Sequence, residues 1–249
     1  MRIAVVTGSN KGIGNGIVEL LARHFDSSEW HVFLTARNVK LGEEAVMKFK
    51  EQGLSEYPNG LDILVNNAGI YKSDPSSPSG ELAKVTIETN YTANVDMCLD
   101  FLPVMAKNSN MLAQKSFNEM SEEMAKKFMN AKTLKEVDDL IARYVKLAEA
   151  GDHKKEGFSS SAYGMSKVGL WKATVILAEQ YKLDPRHILI NACCPGYVNT
   201  DLTDHKGIKS ILEGADTPFY LATLPDDATE PYGEFISERK VVKIDAKYS

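Results

Sequence analysis

The chain carries only three cysteines, Cys98, Cys193 and Cys194, and two of them are neighbours. Adjacent cysteines rarely close a relaxed disulfide on each other, so the set reads as reduced thiols and points to a cytoplasmic protein. No apolar run approaches the length of a membrane span, and the one near the N-terminus, residues 3–6, is too short for a signal sequence. Charge of one sign is also scarce. With 29 basic and 34 acidic residues the net charge is −5, which gives no reason to expect nucleic acid or an anionic membrane as partner. No internal repeat, low-complexity linker or metal-ligating pattern is read. What remains suits a soluble α/β domain over residues 1–249, with 43% apolar and 25% charged residues.

The organising stretch is Thr7-Gly8-Ser9-Asn10-Lys11-Gly12-Ile13-Gly14, between a short apolar run and an amphipathic segment at 17–25. Strand, glycine turn and helix form the order that a phosphate cradle needs. Glycines let the backbone approach a pyrophosphate, and the helix turns its free N–H groups towards it. A second strand is expected over 31–36, a helix over 42–52 and a third strand over 61–65. That last strand ends in Asn66-Asn67-Ala68-Gly69, where small residues leave room for a ligand above the sheet. Arg37, just past the second strand, and Lys11 place two positive charges near the adenosine ribose and favour the 2′-phosphate of NADP. Residues 82–107 carry one long helical pattern, interrupted at Pro103, with Asn90 inside it as a mild misfit.

A polar, helical insert follows over about 111–157, with helices expected at 121–129 and 133–150 and no strand-like run. Tyr163 and Lys167 open another long helix, four residues apart and so on one face. A cation beside a phenol favours the phenolate and lowers its pKa from ~10, and such a tyrosine can protonate a carbonyl oxygen. Alone, this spacing more often marks a surface pair. A strand over 188–194 then runs into Pro195-Gly196-Tyr197-Val198-Asn199-Thr200, and a helix (213–224) and a short strand (233–236) end the pattern.

Glycine turn, N-N-A-G, Y-x-x-x-K and a strand followed by P-G, in this order, resemble the short-chain dehydrogenase/reductase family, and more narrowly its monomeric NADPH-dependent carbonyl reductases. The resemblance implies a Rossmann-like, doubly wound parallel sheet with helices on both faces. It implies NADPH as cofactor, small carbonyl compounds (aldehydes, ketones, quinones) as substrates, and a monomer whose insert covers the face that other members use to pair. Tyr163 would be the proton donor, Lys167 its activator and a ribose ligand, and Asn90 part of a proton relay. The cofactor would lie on Gly8, Asn10, Lys11, Gly12, Ile13, Gly14 and Arg37, on Asn67, Ala68 and Gly69, on Tyr163 and Lys167, and on Pro195, Gly196, Val198 and Thr200. Tyr197 is a candidate aromatic wall for the substrate, though a packed tyrosine is an equal reading.

Two departures from the family pattern stand out. Between Gly53 and Leu61 the family has a third strand and a helix, roughly 20–25 residues by usual element lengths, where this chain has a short polar link. After Lys107 the family has a central strand ending in a serine that binds the substrate carbonyl. Here the text reads Asn108-Ser109-Asn110, with no strand expected and Ser109 the nearest serine. The third and fifth family strands are therefore expected to be absent. A gap inside a sheet leaves backbone groups unpaired at ~1–3 kcal/mol each, which favours an impaired variant over a fully active reductase. A non-catalytic NADP-binding protein is a further alternative.

Overall fold

Strand β1 (Arg2–Val6) alternates strictly, with Ile3 and Val5 packed on one face and Ala4 and Val6 on the other. A strand with two buried faces needs a helical layer on each side, and the computed structural model has both. Residues 1–35, 60–71, 80–114 and 120–244 are described. They form β1, α1 (Gly12–His24), β2 (Trp30–Leu34), β3 (Leu61–Asn66), α2 (Gly80–Ile87), a π turn (Glu88–Thr92), α3 (Ala93–Phe101) and a 3₁₀ turn (Leu102–Val104). There follow β4 (Met105–Gln114), α4 (Glu122–Asn130), α5 (Leu134–Ala150), α6 (Ala162–Tyr181), β5 (Leu189–Cys194), a 3₁₀ turn (Asp201–Thr203), α7 (Ile211–Ala222), β6 (Phe235–Ser237) and β7 (Lys240–Val241).

The sheet order is β2-β1-β3-β4-β5-β6-β7, parallel except for the last pair. On one face Ile17 and Leu21 of α1 and Ala215 and Leu221 of α7 cover Val6, Ile63 and Leu112. On the other, Cys98 and Phe101 of α3 and Leu177 of α6 cover Val5, Leu64 and Ile190. The chain reverses direction across the sheet between β1 and β3, which opens a crevice at their C-terminal ends. That crevice is where the glycine turn sits.

The expectation of a missing central strand is overturned. β4 runs through Met105–Gln114 and pairs in parallel with both neighbours, Leu64↔Met111 on one side and Ala113↔Ala192 on the other. Only Met111, Leu112 and Ala113 look like a strand in the sequence, but two flanking ladders supply what local propensity does not. The N-terminal half shows the misfit. Its register jumps between Leu61↔Met105 and Ile63↔Asn110, and Asn108 takes φ 56 in the left-handed region that Asn tolerates. Arg186 holds this bulged segment, donating to the carbonyls of Leu102 at 2.8 Å and Met105 at 3.2 Å. Since β4 fills the gap, the unpaired ladder groups that argued for an impaired chain do not exist there.

The expected absence of the family's third strand between Gly53 and Leu61, the helix over 42–52 and Arg37 fall on residues outside the described ones, whereas the strand expected over 61–65 is β3. The insert begins later than expected, after β4, with α4 and α5. Ser121 caps α4, its Oγ accepting from Met124 N at 3.2 Å, and Thr133 and Glu136 form a reciprocal capping box on α5. α5 packs Val137, Ile141, Tyr144 and Ala148 against α2 and α6. Gly169 permits this approach, because a Cβ there would lie 2.9 Å from the Tyr91 ring and 3.0 Å from Ile141. Helix α6 is thus enclosed by the sheet and the insert, which explains why it is buried on nearly every side.

Candidate active site

The glycine turn meets the Asn67–Gly69 turn in the crevice between β1 and β3. Gly8 has φ +59, and a Cβ on it would stand 2.7 Å from Ala68 Cα, so only glycine allows this contact. A Cβ on Gly14 would reach Gly8 O at 2.8 Å and clash with Asn67 Nδ2. The two turns are stitched together by Thr7, whose Oγ1 accepts from Asn67 N and Ala68 N, each at 3.0 Å. Asn67 Nδ2 donates to Thr7 O at 2.8 Å and Gly8 O at 3.1 Å. Helix α1 begins at Gly12 with no side chain capping it and no acidic residue in its first turn. Its first N–H groups and macrodipole therefore form an anion site bounded by glycine backbone.

Across this cradle, Thr200 packs its methyl over Gly12, 3.6 Å from where a Cβ would be. Lys11, read as a 2′-phosphate ligand, is ion-paired with Asp201, and both side chains are about half exposed. Asp201 also meets His205 Nε2 at 3.2 Å. Val198 is buried against α7 and Gly196 takes φ +83, while Tyr197 between them is 49% exposed. Asn10 and Lys11 are exposed, and Ile13 packs against the α1 face of the core.

Tyr163 and Lys167 do share a face of α6, with Lys167 Nζ 5.6 Å from the centre of the Tyr163 ring. Lys167 is only 3% exposed, and burial pulls its pKa down to about 8, with the Cys193 thiol working weakly the other way. Burial likewise pushes Tyr163 up to about 12, helped by the neighbouring Cys194 and Tyr71. The sequence had suggested a lowered phenol. In this pocket desolvation is the largest cause of both shifts, and each group is driven towards its neutral form. Lys167 reaches past Gly69, whose Cβ would lie 3.3 Å from both Lys167 Nζ and Asn90 Oδ1.

Asn90 is fully buried in the π turn, an irregularity often found at functional sites. Its Oδ1 accepts from Ile70 N at 2.7 Å, while its Nδ2 donates to Ile70 O at 2.8 Å and to Ser166 Oγ at 3.2 Å. Ser166 Oγ donates in turn to Tyr163 O at 2.6 Å. Sequence reasoning missed Ser166 and Thr7, whose positions beside the tyrosine and the glycine turn were the available signal. It also missed Asn94, one turn after Asn90, whose Nδ2 donates to Asn90 O at 3.0 Å and to Ala68 O at 3.2 Å. Ser109 is not part of this site. Its strand neighbour Asn110 pairs with Leu189, the first residue of β5, so Ser109 lies about 13 Å back along β4 from Ala113 at the site end. There its Oγ is buried with no hydrogen-bond partner among the described residues.

A scan against protein-family models matches none. Curated proteins do match. The chain is 39% identical to carbonyl reductase [NADPH] 3 of Mus musculus over 274 aligned positions, covering 96% of this chain and 97% of that protein. It is 39% identical to carbonyl reductase [NADPH] 1 of Homo sapiens over 276 positions, covering 97% and 98%. Set against the 249 residues here, 274 positions mean that at least 25 stand opposite no residue of this chain. In fold, the chain is similar to salutaridine reductase from Papaver somniferum, with a TM-score of 0.74, 24% identity, and coverage of 94% of this chain and 99% of that one. Near-complete coverage at this identity, on a sheet whose switch-point crevice holds a glycine cradle beside a tyrosine and a lysine, settles the family: the chain belongs to the short-chain dehydrogenases/reductases, within their NADPH carbonyl reductases.

Proposed function

We propose that this chain uses NADPH to reduce aldehydes, ketones and quinones to alcohols, acting as a cytoplasmic monomer with Tyr163 as the proton donor. The observation that carries this reading is the placement of Tyr163, half-buried, and Lys167, buried, on one face of α6, next to Gly69 and Asn90 at the mouth of the glycine cradle. The cradle suits a dinucleotide, since a Cβ at Gly8 or Gly14 would fill it and the first turn of α1 offers its N–H groups uncapped. NADPH, when bound, supplies the hydride. Gly12 and Ile13 would hold its pyrophosphate, and Lys11 and Arg37 its 2′-phosphate.

The chain's own residues handle the proton. With its pKa pushed up to about 12, Tyr163 keeps its proton throughout the ordinary pH range and can donate it to a carbonyl oxygen at ~2.6–3.2 Å. Below about pH 8 Lys167 carries a charge, which opposes the negative charge left on the Tyr163 oxygen and offers donors to the nicotinamide ribose hydroxyls. Asn90 positions the pair through Ser166 and the Ile70 backbone. Support for the monomer comes from α5, which lies over α2 and α6 and occupies the face on which a second subunit would dock.

The test is NADPH oxidation, followed by absorbance, with menadione and benzaldehyde. Tyr163→Phe is expected to lower kcat by ~10²–10⁴ with NADPH affinity retained, the range for losing a general acid. A Tyr163→Phe protein that keeps its rate refutes the assignment.

A further inference from the structure

Tyr71 follows immediately on the residue that Asn90 clamps. Both backbone groups of Ile70 are hydrogen-bonded to the Asn90 side chain, which is itself fully buried, so the chain enters Tyr71 on a fixed path. Its ring stands at 89° to the Tyr163 ring with centroids 5.4 Å apart, the edge-to-face geometry that aromatic quadrupoles favour. Yet Tyr71 is 47% exposed. An aromatic ring held beside the proton donor with about half its surface open has a face left for something else to cover. A carbonyl oxygen within hydrogen-bond reach of Tyr163 brings the body of its molecule to within a few ångströms of that ring.

We propose that Tyr71 is a specificity-determining residue, packing its open face against the substrate and favouring planar aromatic carbonyl compounds over compact aliphatic aldehydes. The proposal rests on the reading of Tyr163 as proton donor. A purely structural Tyr71, serving only to buttress Tyr163, would affect every substrate alike. A substrate-packing Tyr71 acts on aromatic ones alone and mainly through KM, because stacking is present before the chemical step as well as during it.

The test compares the intact protein with Tyr71→Ala and Tyr71→Phe, using menadione and propanal as substrates and a fluorescence titration of NADPH to confirm an intact fold. Tyr71→Ala is expected to raise KM for menadione relative to that for propanal roughly three- to tenfold, the factor one aromatic pair supplies, on top of any change in kcat that the two substrates share through the loss of the Tyr163 contact. Tyr71→Phe, which keeps the ring, should match the unmodified protein. Equal losses on both substrates, or an unchanged menadione-to-propanal ratio, overturn the proposal. If the unmodified protein reduces neither substrate, the carbonyl reductase reading fails on its own. Saturation-transfer NMR of menadione then decides the role of Tyr71: weaker binding to Tyr71→Ala supports it, and equal binding overturns it.

Discussion

Lys167→Met should make this protein more stable while destroying its activity. The ammonium of Lys167 is 3% exposed, and burial moves its pKa from 10.5 to about 8. A displacement of about 2.5 units corresponds to about 3 kcal/mol of preference for the neutral form. Below pH 8 the lysine is protonated in both folded and unfolded chains, so the whole desolvation cost is present. Between 8 and 10.5 the unfolded chain binds a proton that the folded one lacks, and stability therefore rises with pH. Above 10.5 both states are neutral and the cost is gone. Methionine has a similar length and no charge. Chemical denaturation at pH 7 should show the variant more stable by up to about 3 kcal/mol, or roughly 6–12 °C in Tm for a chain of this size. The gap should close as pH approaches 10.5. A variant no more stable than the parent at pH 7, or a gap that does not narrow with pH, would refute the reasoning. A charge retained at such a cost belongs to function rather than to folding.

The same lysine sets a limit on activity. kcat should decline as pH rises through about 8, where Lys167 loses its charge, while Tyr163 keeps its proton up to about 12; a flat profile from pH 7 to 9 would contradict this. Gly8→Ala forces a methyl into Ala68 at a backbone angle glycine favours, and should destabilise by at least ~1 kcal/mol and weaken NADPH binding, read by thermal melts and titration. Asp201→Asn removes the carboxylate that pairs with Lys11 and should tighten NADPH but not NADH, which lacks the 2′-phosphate. Equal changes for the two cofactors would separate Lys11 from that phosphate.

Much of the fold was legible where local pattern and tertiary role agree. β1, β3 and β5 are short apolar runs flanked by turn residues, and their burial on both faces follows from the helices that alternate with them. The capped helices of the insert were equally plain, because Ser121, Thr133 and Glu136 act within one turn of their partners. β4 was not legible. Its text is polar over half its length, and only pairing on both edges, with Arg186 securing the bulge, makes it a strand. The burial of Ser109 and Asn110 Oδ1 without partners among the described residues is the local cost of that placement.

By itself the sequence determined which chemistry the protein carries. Glycines at turn spacing, Asn67-Ala68-Gly69 after a strand, and a tyrosine four residues before a lysine are local patterns, and local patterns survive in one dimension. Only the tertiary structure decided how that chemistry is tuned. The Thr7 stitch, the Asn90 clamp on Ile70, the Lys11–Asp201 pair and the Tyr71 ring against Tyr163 join residues that are 20 to 190 positions apart. The direction of the Tyr163 shift reversed expectation for the same reason: the spacing of Tyr163 and Lys167 specifies their proximity, but the depth of their burial is set by the sheet, α2 and the insert closing around α6, and desolvation depends on all of these together.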